Sequence, residues 1–499
     1  MNPAGVSLDV LIDGFAEPKS NVVVTNLSLR ADQVEDSGLF LACQGACSHG
    51  LDYVEQAIQK GASAVLWEPA SGRDFSHPDI VQQPIPNLSE RVSTIADRFF
   101  NQPSEQIRLA GVTGTNGKTS TVKLIADGLE RLSLPCGVLG TLGYGRPATM
   151  VSSDLTTPDA VTIQRILAEF RDSNLEFAAM EVSSHGLAQH RVQGIRYNVA
   201  VFTNLSRDHL DYHKDMDDYA SAKAELFKFP NLSAAVVNLA DPRGQEFWSA
   251  AAGADKRIGI WVGERAQHDV EHFICAEELT AHTSGLEIHI DSSWGRGVLS
   301  SSLLGSFNGL NLLSAAAVLL HWGVPFEQVL SSLSQSQPVP GRMESVAEPE
   351  QPLVVVDYSH TPDSLEKALS ALSSHCVGEL IVVFGCGGDR DPGKRPMMGE
   401  VASRLADRIY VTDDNPRSES SKTISDAILK GIANDAPVVV EHDRAAAIKQ
   451  AITYASKKDV VLIAGKGHEN YQVRQSERIH FDDREQARQV LSQISGGVA

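Results

Sequence analysis

The segment Gly111-Val-Thr-Gly114-Thr-Asn-Gly117-Lys118-Thr119 limits the possible folds of this chain more than any other. It follows an apolar run at residues 109–112 that reads as a strand, and a helical pattern continues from residue 119 to 131. A glycine-rich turn between strand and helix is the context a phosphate-binding loop requires. Glycines let backbone N–H groups approach phosphate oxygens, Lys118 would reach the β- and γ-phosphates, and the Thr119 hydroxyl would coordinate Mg²⁺. The common pattern sets four residues between its first glycine and the Gly-Lys pair, and Val112 holds that first position here.

The surrounding sequence reads as a sheet able to carry such a loop. Apolar runs at residues 177–182, 199–203 and 234–238 alternate with helical stretches, which predicts a mainly parallel sheet covered on both faces. Residues 281–303 read as antiparallel strands. Beyond Pro338, Pro340 and Gly341, a linker signal, come three more runs at 353–356, 381–384 and 460–464, each ending in a polar loop. Ahead of the phosphate loop, short runs at 21–27, 39–43 and 62–67 read as a small α/β unit. Residues 82–89, with Pro84 and Pro86, read as its linker, and a helical pattern follows at 91–100. A chain of 499 residues holds about three domains, in line with these breaks. Ligands of open α/β sheets bind outside the carboxyl ends of the strands, so the polar residues after each run are the ones to examine.

Charge narrows the partners. The balance of 43 basic against 63 acidic residues, net −20, disfavours a nucleic-acid backbone but not a small anion held at a helix N-terminus. Cys43, Cys47, Cys136, Cys275, Cys376 and Cys386 read as free thiols, because the one close pair lacks the second that a zinc site needs. An acidic N-terminus without a basic stretch is no signal peptide, and no apolar run reaches the ~20 residues of a membrane span. The expectation is a cytoplasmic protein without membrane insertion.

Three further segments carry candidate chemistry. Met180-Glu181-Val-Ser183-Ser-His-Gly186 places a carboxylate at a strand end, where a Mg²⁺ ligand belongs. Asp208-His209-Leu-Asp211 and Tyr219-Ala-Ser-Ala-Lys223 follow. Each has an ordinary reading when taken alone: Glu181 a solvated edge residue, His209 a satisfied loop histidine, Lys223 a solvent-facing lysine on an amphipathic helix.

Together with Thr203-Asn-Leu-Ser-Arg-Asp-His-Leu-Asp-Tyr-His213, Gly341-Arg342-Met-Glu344, Asp357-Tyr-Ser-His360-Thr-Pro-Asp363, Asp414-Asn415-Pro416-Arg417 and Gly465-Lys-Gly-His-Glu469, these segments resemble the Mur ligases of peptidoglycan synthesis. The resemblance runs from about residue 27 to about residue 483. It implies an α/β protein of three domains: a small N-terminal α/β domain for the UDP end of the substrate at 1–88, a central P-loop-type ATPase with a mainly parallel sheet at 89–337, and a C-terminal Rossmann-like domain for the incoming amino acid at 338–499. It also implies an ATP- and Mg²⁺-dependent amide-forming reaction through an acyl phosphate, carried out by a monomer on small-molecule substrates. The Asp-Asn-Pro-Arg tetrapeptide implies meso-diaminopimelate as the amino acid, added to UDP-N-acetylmuramoyl-L-alanyl-D-glutamate. A ligase for L-lysine, a folate polyglutamylating enzyme, and a nucleotide-binding regulator that has lost its chemistry are the competing readings.

Residue roles follow from the matched motifs. Gly114, Thr115, Asn116, Gly117, Lys118, Thr119 and Ser120 would hold the ATP phosphates, joined by Asn308, Asn311, Arg342, Asp357 and His360. Lys118, Glu181, His209 and Lys223 would be catalytic. Thr119, Glu181, His209 and a carbamylated Lys223 would form the Mg²⁺ shell. Thr156, Thr157, Ser183, Gln189 and Arg191 would bind the muramoyl dipeptide. The uridine end would meet Leu27, Leu29, Ala46, Cys47 and Ser48, although the family's Leu-Asp-Ser-Arg is Leu27-Ser28-Leu29-Arg30 here, without the expected serine at Leu29. Arg390, Asp414, Asn415, Pro416, Arg417, Gly465 and Glu469 would bind diaminopimelate.

Overall fold

The structure, a computed structural model, describes residues 5–45, 48–69, 73–153, 155–265, 269–346, 351–475 and 477–496. Three large sheets organise it, with four, ten and six strands among the described residues. It is an α/β molecule built mainly on parallel strands.

The four-stranded sheet joins Asn26–Ser28, Gly38–Ala42, Ala62–Trp67 and Val81–Pro84, all parallel. Its last strand corrects the linker expected at 82–89. Gln83 and Pro84 pair with Leu66 and Trp67, and proline is tolerated because this strand is the sheet's edge. A helix then starts at once, Leu88–Phe99. Its Leu88, Val92, Ile95 and Phe99 share a core with Leu39, Leu41 and Leu66 of the sheet, and also with Ala160 and Val161 of the helix Ala160–Asp172. It therefore ties the first sheet to the second.

In the ten-stranded sheet the strand Arg108–Thr113 lies between Phe177–Glu181 and Val199–Phe202, parallel to both. These strands are buried on both faces, which is why they read as unbroken apolar runs. Registers align their carboxyl ends: Glu181 lies opposite Val112, and Phe202 opposite Thr113. Behind one face the helix Lys118–Arg131 packs on the almost wholly buried Phe307–His321. Three antiparallel strands, His272–His282, Gly285–Ser292 and Gly295–Ser301, extend the far edge.

The six-stranded sheet runs in the order Glu344–Ser345, Leu353–Asp357, Val460–Ala464, Leu380–Phe384, Arg408–Val411, Val438–Val440, parallel except for the first. Its core accepts Leu304 from the loop that leaves the ten-stranded sheet. Beside it, buried His375 accepts from the Gly305 N–H at 2.8 Å through Nε2 and donates to the His282 carbonyl at 2.6 Å through Nδ1. No helix among the described residues is long and apolar enough to cross a membrane.

Candidate active site

The phosphate loop turns at Gly114, where φ is +145° and an added Cβ would lie 2.0 Å from Thr203 Oγ1. Gly117, at φ +84°, leaves room for the Asn311 side chain, whose Oδ1 would stand 2.5 Å from a Cβ there. Backbone shape and close approach thus both require glycine. Asn311 in turn donates to Asn308 Oδ1 at 3.0 Å, and Asn308 donates to the Leu304 carbonyl at 2.7 Å. These buried amides brace the loop from behind; they are not open to solvent.

Lys118 opens the helix and folds back on the loop, donating to the Gly114 and Thr115 carbonyls, both at 2.8 Å. Burial pushes its ammonium down, opposed by Glu181 and Asp208. Thr119 donates to Glu181 Oε2 at 2.9 Å. The other Glu181 oxygen accepts from the Thr141 N–H at 2.7 Å. Glu181 is buried, which raises its carboxyl above the usual range. Among the described residues it has no basic side chain within ion-pair distance. A small cleft of about 80 Å³ opens beside Thr119 and Glu181, lined also by Lys123, Asp127, Leu142 and Met150.

Lys223 is not the solvent-facing lysine of the ordinary reading: it is 1% exposed. Its Nζ donates to the Gly114 carbonyl at 2.8 Å and stands 4.6 Å from the Tyr219 ring centre. Burial first, and then the Lys118 charge, push its amine well down. Among the described residues no ion pair joins it to Glu181 or His209. The His209 ring packs edge-on to His185 with centres 4.9 Å apart, and 6.0 Å from Tyr219. Tyr219 OH in turn meets Thr115 Oγ1 at 3.2 Å. His209 is thereby grouped with the helix that carries Lys223.

The residues expected to bind the dipeptide form one hydrogen-bonded group beside Glu181. Thr157 Oγ1 donates to the Glu181 carbonyl at 2.9 Å and accepts from Ser183 N–H at 3.0 Å. Ser183 Oγ caps the short helix Ser184–Ala188 by accepting from Gly186 N–H. Arg191 donates to the Thr157 carbonyl at 2.6 Å and to the Gln189 side chain. Thr156 and Thr141 share a hydroxyl contact at 2.9 Å. At the uridine end, Leu27 belongs to the first sheet's core, on the strand paired with Gly38–Ala42, and Leu29 packs against that core. Ser48 is exposed, and Ala46 and Cys47 lie outside the described residues. A separate, wider concavity of about 860 Å³ near Asp9, Phe15 and Arg98 contains none of the expected residues.

In the six-stranded sheet, three neighbouring strand ends converge. Leu380–Phe384 leads to the loop with Arg390, Arg408–Val411 to Asp414–Arg417, and Val460–Ala464 to Gly465–Glu469. Arg417, in the left-handed region at φ +50°, donates through Nη1 to the Gly388 carbonyl at 2.8 Å. Its Nε and Nη2 make no hydrogen bond among the described residues. Asn415 donates to Glu469 Oε2 at 3.2 Å. Lys466, fully buried, donates to Asn415 Oδ1 at 3.0 Å and lies 3.4 Å from Asp414 Oδ1. The motif Gly465-Lys-Gly-His-Glu469 by itself suggests no role for Lys466. Arg342, Asp357 and His360 gather around Tyr358: the Arg342 guanidinium lies 5.1 Å above that ring, and the His360 ring centre is 4.5 Å away. Asp357 anchors the turn by accepting from Met343 N–H at 2.8 Å. These three are set on the C-terminal sheet, apart from the residues that brace Gly117.

Two strand-end clusters, one around a phosphate loop and one around an Asp-Asn-Pro-Arg loop, are joined in one chain. Residues 23–100 match the Mur ligase family catalytic domain, 112–319 the Mur ligase middle domain, and 341–467 the Mur ligase glutamate ligase domain. The chain belongs to the Mur ligase family. It is 45% identical over 488 residues to the UDP-N-acetylmuramoyl-L-alanyl-D-glutamate–2,6-diaminopimelate ligase of Xanthomonas oryzae pv. oryzae, covering 97% of each chain. It is 42% identical over 472 residues to the ligase of that name from Coxiella burnetii, covering 95% of this chain and 96% of the other. A solved structure of a ligase of that name superposes with a TM-score of 0.80 at 33% identity, covering 98% of this chain and 99% of the other. The Mur ligase fold thus accounts for all three sheets.

Proposed function

We infer that the chain is an ATP-dependent amide-forming ligase of peptidoglycan synthesis. It adds meso-2,6-diaminopimelate to the D-Glu carboxylate of UDP-N-acetylmuramoyl-L-alanyl-D-glutamate and releases ADP and phosphate. The observation that carries this reading is the phosphate loop flanked by Glu181 at the neighbouring strand end and by buried Lys223, which donates to the Gly114 carbonyl, in a chain whose second cluster offers Arg417 with donors free among the described residues.

A carboxylate and an ammonium at neutral pH form a salt, so the carboxylate oxygen must first become a leaving group. The D-Glu oxygen attacks the γ-phosphorus and ADP departs, giving an acyl phosphate. The free amine of diaminopimelate attacks the acyl carbon, the tetrahedral intermediate loses phosphate, and the nitrogen sheds its proton. Gly114 to Ser120 hold the phosphates, and Lys118 stabilises charge gathering on the γ-phosphoryl oxygens. Asn308 and Asn311 keep the loop in shape, while Arg342, Asp357 and His360 complete the nucleotide site from the C-terminal side. Thr156, Thr157, Ser183, Gln189 and Arg191 orient the dipeptide, with Leu27, Leu29, Ala46, Cys47 and Ser48 at the uridine end.

The residues fit Mg²⁺. Thr119 and Glu181 offer oxygen ligands 2.9 Å apart, and the buried Glu181 carboxylate has no cation within ion-pair distance among the described residues. Mg²⁺, when bound, neutralises charge between the two anionic reactants. Lys223 serves as a carbamate: a buried amine held down by its surroundings is the neutral form that adds CO₂, and the product is a carboxylate on a long stem. His209 completes the set. At the second site Arg417 and Arg390 take carboxylates, and Asp414, Asn415 and Glu469 take ammonium groups, with Gly465 and Pro416 shaping the loops. The division at 1–88, 89–337 and 338–499, a monomeric state and a cytoplasmic location are part of this reading.

The test is phosphate release from ATP and the UDP-dipeptide with meso-diaminopimelate or L-lysine. Release with diaminopimelate and little with lysine is expected. No release with either overturns the ligase reading.

A further inference from the structure

Arg395 lies in the first turn of the helix Lys394–Leu405 and is 2% exposed. Its guanidinium grips Glu419 with two hydrogen bonds, Nη1 at 2.9 Å and Nη2 at 2.8 Å. Nη2 also donates to the Gly387 carbonyl at 3.3 Å. Glu419 Oε1 accepts from the Asp389 N–H at 2.6 Å. Asp389 in turn accepts from Ser418 Oγ at 2.6 Å and from Ser418 N–H at 3.2 Å. The backbones touch as well: Gly388 N–H donates to the Asn415 carbonyl at 2.9 Å, and an added Cβ on Gly388 would lie 1.9 Å from the Pro416 carbonyl oxygen. The loop carrying Arg390 and the loop carrying Arg417 are thus fastened along their length.

Stability alone does not account for this arrangement. The Arg395 Nε is buried without a hydrogen-bond partner among the described residues. An unpaired buried donor is costly, and an ion pair whose carboxylate side chain is still 28% exposed contributes little to stability. Holding two loops in register is a different task, and a bidentate guanidinium performs it where a lysine does not.

We propose that Arg395 and Glu419 are positioning residues for the incoming amino acid, forming a clasp that sets the distance between Arg390 and Arg417 and so the length of diacid the site accepts. The proposal rests on the reading that those two arginines bind diaminopimelate. Neither clasp residue touches substrate; both act through the loops they join. When the clasp loosens, the arginines no longer meet both carboxylates at once. A displacement of about 1 Å in such groups costs up to about 10²-fold.

The variants are Arg395→Lys, Glu419→Gln and Ser418→Ala in the full chain, with Arg417→Ala as reference, assayed by phosphate release and by thermal unfolding. Arg395→Lys and Glu419→Gln are expected to raise the KM for meso-diaminopimelate by about 10-fold or more. The KM values for ATP and the UDP-dipeptide should stay as in wild type, and the preference over L-lysine should shrink. Ser418→Ala, at the solvent edge, should move the same constants by less. A purely structural role predicts lower Tm and kcat with the diaminopimelate KM unchanged, and that result overturns the clasp. Should Arg395→Lys fail to fold, Glu419→Gln and Ser418→Ala decide the matter. If Arg417→Ala also leaves that KM unchanged, the underlying site reading fails; if only the clasp variants leave it unchanged, the clasp alone does.

Discussion

Lys118 and Lys223 share one acceptor: each ammonium donates to the Gly114 carbonyl at 2.8 Å. Two cations on one backbone oxygen, one of them buried, repel each other, and no carboxylate pairs with Lys223 among the described residues. The simplest relief is for Lys223 to lose its proton. A neutral buried amine is ready for carbamylation, which would turn repulsion into attraction toward Lys118 and a metal.

Lys223→Ala is therefore expected to abolish amide formation while the fold persists. Short carboxylic acids at high concentration should restore part of the activity by occupying the vacated ligand position. Phosphate release with and without added acid measures this. Near-normal turnover of the variant would remove Lys223 from the metal site.

Lys118→Ala should lower the rate on the order of 10²–10³-fold, the scale for losing one preorganised charge-stabilising group. Its tether to the Gly114 and Thr115 carbonyls keeps it poised over the loop, so little reorganisation is needed when ATP arrives. Single-turnover kinetics at saturating ATP separate this from weaker binding. Full turnover would make the loop a structural turn.

His375 predicts a pH dependence at the junction between the second and third sheets. Both ring nitrogens are engaged, Nδ1 as donor to the His282 carbonyl and Nε2 as acceptor from the Gly305 N–H, so only the neutral ring fits. Burial lowers its pKa, with the nearby His282 adding to the effect while the backbone bond to His282 opposes it. Below about 6.5, the ordinary histidine value, the unfolded chain then binds more protons than the native one, so stability falls as pH drops. The contribution is fully present above that value and is lost as pH falls through the lower, folded-state pKa. Thermal unfolding between about pH 7.5 and about pH 5 should show a steeper loss for wild type than for His375→Gln. Equal slopes would mean that His375 does not titrate with unfolding.

Much of this was legible before the structure, and the exceptions have local causes. Strands buried on both faces, such as Phe177–Glu181, announced themselves as apolar runs. Cys136–Gly140 did not, because two of its five residues are glycine, and Arg408–Val411 is short and begins with a charge. Val81–Pro84 read as a linker because proline usually breaks a strand, and an edge position removes that objection. In the site, Glu181 was visible as a carboxylate at a strand end. The burial of Lys223 was not, since the helix Met216–Ala224 has no strong apolar face and the lysine is enclosed by Gly114 and Tyr219, far away in sequence or one turn back. Arg395 and Glu419 carry no signal of their own. Their meaning comes only from the two loops they bring together.

The choice of amino acid turns on Arg417. Diaminopimelate differs from lysine by a second carboxylate at the far end of its side chain, and a site selective for it must supply a planar donor there. Arg417 is half-buried, spends Nη1 on the Gly388 carbonyl, and among the described residues keeps Nε and Nη2 free to face an anion. Its left-handed backbone is fixed on both sides, by its own N–H to the Val473 carbonyl at 3.1 Å and by Gln475 N–H to its carbonyl at 2.7 Å. The backbone that carries the guanidinium is therefore fixed, and the Gly388 carbonyl holds the guanidinium itself. Lysine in this site would desolvate those donors and give them nothing, and a site built around such bonds rejects the analogue lacking its partner by roughly 10⁴-fold. Arg417→Ala should raise the KM for meso-diaminopimelate steeply, leave ATP binding as it was, and narrow the gap to L-lysine. Steady-state kinetics with both amino acids provide the measurement. Equal use of L-lysine by the wild type, or an unchanged diaminopimelate KM in the variant, would take the specificity away from this arginine.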